Sequence, residues 1–146
     1  MADRRSAHRT QWVAQFAVAS ELCKRNYQVA LTMGNHPEAD LMVISPEGVQ
    51  FIVDVKGQYK KNWWLISPKK KRKNLFYVLA YVPDEKPNEY FILTQDEVDS
   101  ERERYLVEKK AERTRKGLSI DNVGRFPGLS SAVASGFRDK WKKLPK

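Results

Sequence analysis

The sequence has little of the chemistry that cysteine and histidine supply. Cys23 is the one cysteine among 146 residues, so an internal disulfide is excluded. Without a second thiol or closely spaced histidines, a thiolate zinc site is excluded as well. We therefore expect Cys23 to be a small core residue. His8 and His36 lie far apart, with no nucleophile beside either, and we interpret both as structural.

Long apolar runs and glycine-rich phosphate loops are also missing. No run approaches the roughly 18 apolar residues of a membrane span, and the N-terminal MADRRSAHRTQW lacks the apolar segment of a secretory signal. We therefore expect a cytoplasmic protein that does not enter a membrane. The lack of a glycine-rich loop argues against ATP use. The length predicts a single domain spanning residues 1–146.

Acidic residues are absent from Val55 to Pro83. The chain carries 27 Lys and Arg against 18 Asp and Glu, a net charge of +9, and eight of the basic residues fall in this segment. The positive excess is therefore concentrated in one patch, which favours a polyanionic partner. The patch consists of Lys56, Lys60, Lys61, Lys69, Lys70, Lys71, Arg72 and Lys73.

Apolar spacing predicts a helix followed by several strands. Residues 6–26 fit a helix, and Asn26 suits a left-handed C-terminal position. Its predicted apolar stripe consists of Trp12, Phe16, Ala19 and Cys23. The strands that composition predicts are 27–32, 40–45, 49–57, a short one within NWWLIS, 75–82 and 89–94.

The rest of the chain contains helix signals. SPKKKRKN, residues 67–74, predicts a basic turn of helix with Ser67 as its cap. TQDE has the spacing of a capping box, so a helix over 94–116 is expected. This helix has few apolar residues, which predicts that it is solvated or contacts a partner chain. A closing helix is predicted from apolar residues that recur every four positions: Leu129, Val133, Phe137 and Trp141.

The second and third predicted strands carry two acids at related positions. SPEGV between them has the chemistry of a three-residue hairpin loop, with Pro46 at the first turn position and Gly48 at the left-handed one. Paired residue numbers then sum to 94, so Asp40 faces Asp54, about 5 Å away at Cβ. Lys56 points to the same face as Asp54, because strand side chains alternate.

Two opposed carboxylates repel each other unless a cation compensates their charge. Oxygen ligands without thiolate or imidazole favour Mg²⁺ or Mn²⁺, and the Val55 carbonyl could add a ligand. Lys56 could then orient or deprotonate a water molecule, or stabilise charge on a phosphorane. Asp40, Asp54 and Lys56 thus predict phosphodiester hydrolysis. In the simpler alternative, the pair is a surface salt bridge and Asp40 a turn residue.

These residues resemble the pattern of the PD-(D/E)XK nuclease superfamily, above all its small members related to Holliday junction resolvases. The matching residues are Glu21 on the helix, Asp40, and Asp54-Val55-Lys56. ASELCKRNYQVALT and EADLMVISPEGVQFIVDVKG carry the resemblance, which covers about residues 10–95. It implies that Glu21 completes the catalytic site and that Gln58 holds the place of a further polar site residue.

The resemblance also implies the fold. We expect the restriction-endonuclease-like α/β class, an αβββαβ core with a mixed central sheet flanked by helices. Residues of about 95–146 would form a C-terminal helical extension.

The segment after the acids mixes positive charge with aromatic rings. Cations neutralise phosphates and exposed rings stack on unpaired bases, so a nucleic-acid surface is predicted here. Trp63 and Trp64 would face opposite sides of a strand, and we expect one of them to be core. The predicted contacts are Gln58, Lys60, Lys61, Trp63, Lys69, Lys70, Lys71, Arg72 and Lys73.

The sequence thus predicts a Mg²⁺-dependent DNA endonuclease with structure-selective or weakly sequence-selective cleavage. Two alternatives stay open. The chain could be a nucleic-acid-binding or protein-interaction module without catalysis. It could also be a subunit whose helix 94–116 binds a protein partner. A homodimer is a further expectation from the resemblance, since cutting both strands usually needs two sites.

Overall fold

The computed structural model describes residues 5–32 and 39–146, and His36 lies outside this part. The chain is mixed α/β, as predicted. In chain order its elements are α1 (Ala7–Lys24), β1 (Gln28–Leu31), β2 (Leu41–Ile44), β3 (Gln50–Gln58), β4 (Trp64–Leu65), β5 (Leu75–Tyr81), β6 (Glu89–Thr94), α2 (Gln95–Arg115), β7 (Gly128–Leu129), α3 (Ser131–Ser135) and a 3₁₀ turn (Trp141–Lys143).

Within the described residues, five strands form a mixed central sheet in the order β1-β2-β3-β5-β6. β3 and β5 are parallel, and the other neighbours are antiparallel. β4 and β7 pair as a separate ribbon. The predicted central sheet flanked by helices is therefore confirmed. No helix in the described part combines the length and apolar character that crossing a membrane requires.

Helix α1 begins and ends where its sequence predicts. The Ser6 hydroxyl caps the helix by accepting a hydrogen bond from the Arg9 N–H at 3.1 Å. Asn26 adopts the predicted left-handed conformation, with φ of 68°. The helix therefore ends at Lys24, and β1 begins at Gln28 after a short turn through Asn26.

The predicted apolar face of α1 was wrong. Trp12 and Phe16 stack on each other on the outer side, with ring centroids 5.5 Å apart. Cys23 is exposed, not a core residue. The buried positions are also spaced by four, but they lie on another side of the helix: Thr10, Ala14, Val18 and Leu22.

The close contact between α1 and β3 explains which face is buried. A Cβ atom on Gly57 would lie 2.6 Å from the Ala14 Cβ and 3.1 Å from the Thr10 carbonyl oxygen. Only small groups fit at this crossing, so large rings such as Trp12 are excluded from it. The contact at Gly57 sets the distance between α1 and β3. Because Gly57 follows Lys56 directly, it sets this distance next to Asp54 and Lys56.

The segment between β3 and β5 contains β4 and irregular chain, so the predicted helical turn over 67–74 was wrong. The Gln95 side chain, which is buried, takes the hydrogen bonds that a helix would have supplied. Its Oε1 accepts from the Arg72 N–H at 2.8 Å, and its Nε2 donates to the Lys70 carbonyl at 3.0 Å and to the Lys69 carbonyl at 3.3 Å. The parallel connection therefore lacks the helix of the expected αβββαβ order.

Helix α2 has the predicted capping box. The Thr94 side chain accepts from the Glu97 N–H, and the Glu97 side chain accepts from the Thr94 N–H. Gly117, with φ of 69°, follows its end. Gln95 and Val98 are its buried residues, which agrees with the sparse burial that its few apolar residues predict, and a partner chain on its exposed side stays a prediction.

The predicted closing helix was wrong. The chain forms α3 and then runs beside the edge strand β6: the Ile92 N–H donates to the Phe137 carbonyl at 3.0 Å, and the Asp139 N–H donates to the Tyr90 carbonyl at 2.9 Å. Leu129 and Trp141 are buried, but they lie in β7 and in the 3₁₀ turn. The exposed backbone of β6 therefore competes with helical hydrogen bonding here.

Two hydrophobic clusters lie on opposite faces of the sheet. Val53 and Val55 belong to the cluster that contains the buried residues of α1. Ile52 and Tyr77 belong to the cluster that contains Val98 of α2. By strand alternation, Asp54 and Lys56 share the α2 face with Ile52.

We expect Gly57→Ala to lower the free energy of unfolding by about 1–3 kcal/mol, because the added methyl group would overpack the α1–β3 crossing. Gly136→Ala is the matched control, since a Cβ there meets its nearest atom at an ordinary 3.5 Å. Urea unfolding followed by circular dichroism measures both. Equal stability of the two variants would contradict the account of this crossing.

Candidate active site

The β2–β3 hairpin has the register that its loop predicts. Leu41 pairs with Val53 and Ile44 with Gln50, so paired numbers sum to 94. Gly48 adopts φ of 88°, in the left-handed region that a residue with a side chain rarely occupies. The ladder thus brings the beginning of β2 to the middle of β3.

Asp40 lies just before the first ladder pair, and its carboxylate contacts β3. Its N–H donates to the Val53 carbonyl at 3.0 Å. Its Oδ2 accepts from the Val55 N–H at 2.7 Å, and its Oδ1 accepts from the Gln15 side-chain amide at 3.3 Å. Both oxygens of Asp40 are therefore held by neutral donors next to Asp54.

Asp54 is a buried carboxylate between two ammonium groups. Its exposed fraction is 2%. The Lys69 ammonium donates to Oδ2, and the Lys56 Nζ lies 3.2 Å from Oδ1. That Lys56 contact is an ion pair without hydrogen-bond geometry, so Oδ1 has no hydrogen-bond donor among the described residues. A buried oxygen of this kind can accept a further cation or donor.

The two acids share an electrostatic environment. Burial raises the pKa of Asp40, and the Asp54 charge raises it further. The Val55 N–H hydrogen bond and the charges of Lys56 and Lys69 oppose this rise. Two carboxylates and two ammonium groups therefore interact as one cluster.

The structure thus brings together the predicted Asp40, Asp54, Val55 and Lys56. Lys69 joins them, although the sequence suggested only a phosphate contact for it. The local sequence does not distinguish Lys69 from the lysines beside it. Its contact with Asp54 depends on the position of the loop, which Gln95 holds from a distant part of the chain.

Two glutamines of α1 were missed by the sequence analysis. Gln15 contacts Asp40, and the Gln11 side-chain amide donates to the Val55 carbonyl at 2.7 Å. Their spacing of four residues places them on one side of α1, which is the signal that could have found them.

Glu21 lies in a different set of contacts. Its carboxylate pairs with Arg25 at 2.7 Å and with Lys24 at 3.6 Å. The hydrogen bond from Arg25 lowers the pKa of Glu21. Among the described residues, the carboxylate of Glu21 contacts neither Asp40 nor Asp54. In the described ranges, no three Asp, Glu, His or Cys side chains form a group that could hold a metal ion.

The atoms around Asp40 and Asp54 are nevertheless suited to a hard cation. Carboxylate oxygens from both acids and the Val55 carbonyl oxygen are the ligand types that Mg²⁺ and Mn²⁺ prefer. The buried Asp54 Oδ1 without a hydrogen-bond donor is the atom that such an ion would satisfy. Two acids with a backbone oxygen leave the remaining positions of an octahedral ion to water and a substrate phosphate.

The predicted nucleic-acid contacts divide into structural and exposed residues. The Gln58 amide donates to the carbonyls of Asn62 and Trp63 and so holds the turn after β3. Trp64 is buried and Trp63 is not, as expected for one core tryptophan of the two. Lys61 lies 3.4 Å from the Glu89 carboxylate. Exposed lysines of the patch are Lys60, Lys61, Lys70, Lys71 and Lys73.

Comparison with known proteins adds no assignment. A scan against models of protein families, a search of curated proteins and a search of solved structures found no match. The mixed sheet with its antiparallel hairpin is compatible with the restriction-endonuclease-like fold, and that more specific fold stays a prediction.

We expect Asp40→Asn to stabilise the protein increasingly as pH rises. A raised carboxyl pKa means that the folded protein binds the proton more tightly than the unfolded chain. The free energy of unfolding of the wild type therefore falls as pH rises through the window between the unfolded and folded pKa values. The asparagine of this variant cannot lose a proton, so the variant does not lose stability in this pH range. The difference in free energy of unfolding between Asp40→Asn and wild type should therefore grow between the two pKa values and stay constant above them.

Urea titrations at a series of pH values measure this difference, and the exposed Asp121→Asn controls for the change in net charge. Mg²⁺ should reduce the advantage of Asp40→Asn, because a bound cation favours the ionised carboxylate. A stability difference that does not change with pH would contradict the burial argument for Asp40.

We expect Gln95→Ala to lower the free energy of unfolding by about 1–3 kcal/mol, because the Arg72 N–H and the loop carbonyls would lose their partner. The control is Gln28→Ala, since Gln28 is an exposed residue of β1. Chemical unfolding of both variants tests the prediction. If Gln95→Ala were as stable as Gln28→Ala, the side chain would not be what holds the basic loop.

Proposed function

We propose that the chain is a Mg²⁺- or Mn²⁺-dependent endonuclease that hydrolyses phosphodiester bonds in DNA. The observation that carries this proposal is the cluster of Asp40 and Asp54 with Lys56 and Lys69 beside the Val55 carbonyl. A salt bridge on the protein surface would not bury one acid to 2% exposure while leaving one of its oxygens without a hydrogen-bond donor among the described residues.

Asp40, Asp54 and the Val55 carbonyl would hold the metal ion. When bound, the ion would polarise the phosphate and lower the pKa of an attacking water molecule. The side chains of Gln11 and Gln15 would orient the Val55 carbonyl and the Asp40 carboxylate through the hydrogen bonds already described. Hydrogen bonds to the groups that hold a metal ion commonly orient those groups and raise the affinity for the ion.

In this proposal, Lys56 and Lys69 would supply positive charge to the phosphate that is cut. Their side chains remain partly exposed, 33% for Lys56 and 26% for Lys69. Each ammonium group can therefore contact an anionic ligand as well as Asp54. Positive charge fixed in place before reaction stabilises the negative charge that develops on the phosphorus oxygens.

DNA would be held by the exposed lysines that follow the site in sequence. The loop that carries Lys70, Lys71 and Lys73 is fixed by Gln95 close to the lysine that contacts Asp54. Such contacts neutralise phosphates without reading bases, which favours structure-selective or weakly sequence-selective binding. Asp96 pairs with Lys71 and reduces the charge at that position.

A module without catalysis is the second candidate. The observation that favours it is the neutralisation of Asp54 by Lys56 and Lys69, which stabilises the cluster without a metal. The PD-(D/E)XK assignment and a homodimer stay predictions that belong to the nuclease proposal. A protein partner on the exposed α2 stays a separate alternative.

Asp54→Asn should abolish Mg²⁺-dependent cleavage while DNA binding is kept or strengthened, because the variant removes one negative charge. The loss should exceed the roughly 10- to 100-fold effect of changes outside the direct metal ligands. Gel assays on supercoiled, linear, branched and single-stranded DNA, and on RNA, with Mg²⁺, Mn²⁺ or EDTA, measure it. Asp121→Asn is the matched control on the surface.

Cleavage that persists in Asp54→Asn, or that is unaffected by EDTA, would remove this mechanism. Salt-sensitive binding by the wild type without cleavage under any of these conditions would favour the binding module. Lys56→Met adds a second readout: cleavage should slow, and urea unfolding measures the stability that is lost with the ion pair to Asp54.

A further inference from the structure

A basic and aromatic groove lies between α2 and the loop 122–126. Its volume is about 710 Å³, and Trp63 forms part of its wall. Neither the acidic cluster nor the lysines of the 69–73 loop belong to it. The residues that matter for its chemistry are Trp63, Tyr105, Lys109, Arg113, Arg125 and Phe126.

The groove combines an indole ring held by several contacts with a phenyl ring open to solvent. Trp63 packs against Tyr105 with ring centroids 4.9 Å apart. The Trp63 indole N–H donates to the Phe126 carbonyl at 3.1 Å. A Cβ on Gly128 would overlap the Trp64 carbonyl group and lie 2.9 Å from the same indole nitrogen, so the glycine there permits the close approach of β4 as well as of the ring. Phe126 itself is 65% exposed.

The charge of the groove has one sign. Lys109, Arg113 and Arg125 line it, and no Asp or Glu occurs among the described residues of its wall. Glu112 lies 3.7 Å from the Lys109 ammonium but outside the groove. The Arg125 guanidinium lies 5.5 Å from the centre of the Phe126 ring, so cation and ring form one surface. A polyanion with flat rings is complementary to this surface.

We propose that this groove binds unpaired nucleotides, with bases stacked on Phe126 and Trp63 and phosphates paired with Lys109, Arg113 and Arg125. Stacking needs a base face that a duplex does not offer, whereas the cations alone would accept any phosphate backbone. The inference rests on the proposed nuclease function and names its substrate class: nucleic acid with a single-stranded segment beside the duplex or junction that is cut.

The fold connects this groove to the acidic cluster. The Gln58 amide joins the end of β3 to Trp63, at 2.8 Å from the Trp63 carbonyl. Tyr77, the neighbour of Asp54 on β5, packs in the same hydrophobic cluster as Val98 of α2. Asp54 and Lys56 are therefore on the same side of the sheet as α2, and one nucleic acid could contact both them and the groove.

The test measures binding separately from cleavage. Fluorescence anisotropy in EDTA compares a labelled single-stranded oligonucleotide with a blunt duplex of the same sequence. Phe126→Ala should weaken single-strand binding roughly 5- to 150-fold, the range for loss of one stacked base, with a smaller effect on the duplex. Phe16→Ala is the matched control, because Phe16 is 55% exposed on α1 and does not line the groove.

Trp63→Ala is the second variant, and circular dichroism checks that it folds.

Lys109→Gln tests the charge: the slope of log affinity against log salt should become shallower by about 0.7, as for one phosphate of a single strand. The control is Lys24→Gln, since the Lys24 side chain is 70% exposed at the end of α1. It should leave the slope unchanged.

Equal single-strand affinity of Phe126→Ala, Phe16→Ala and wild type would overturn the inference, as would wild-type protein that binds no oligonucleotide. Cleavage that requires Asp54 but is indifferent to Phe126 would leave the proposed function standing without the groove. Single-strand binding that is lost in Phe126→Ala, in a protein that never cleaves, would support the groove and reject the nuclease. The two failures are therefore distinguishable.

Discussion

The buried Asp54 carboxylate is the constraint on which the site depends. A carboxylate removed from water costs several kcal/mol unless positive charge or hydrogen bonds compensate it. Here the compensation comes from Lys56, two residues along the same strand, and from Lys69, which reaches the strand from a loop. Half of this compensation therefore depends on the position of that loop. The position of the loop is as much a part of the site as the acids.

Gln95 connects this constraint to the C-terminal part of the chain. It is the first residue of α2, directly after the capping residue Thr94, so the geometry of the helix end sets where its amide points. The amide then holds the loop that carries Lys69, and α2 continues to the wall of the aromatic groove. One helix thus supports the loop at its N-terminal end and the groove further along.

The sequence predicted best those features that local chemistry determines. The SPEGV loop fixed the register of the β2–β3 hairpin, and the capping box fixed the start of α2. Prediction failed where distant contacts decide. The close approach at Gly57 selects the small Ala14 face of α1 over Trp12. Backbone pairing with β6 replaces the predicted closing helix. Lys69 could not be distinguished from its neighbours, because a buried glutamine 26 residues later in the chain places it.

The two acids of the cluster are held by donors of different kinds, and this difference has a chemical consequence. Asp40 accepts hydrogen bonds from the Val55 N–H and the Gln15 amide, so neither of the groups that donate to it carries a positive charge. Asp54 already has a hydrogen-bonded ammonium on one oxygen. A divalent ion near Asp54 would repel that ammonium, whereas near Asp40 it would relieve the cost of burial that raises the pKa of Asp40. In the proposed nuclease, Asp40 would therefore be the main ligand of the ion, and the Asp54 oxygen without a hydrogen-bond donor in the described chain would be the second.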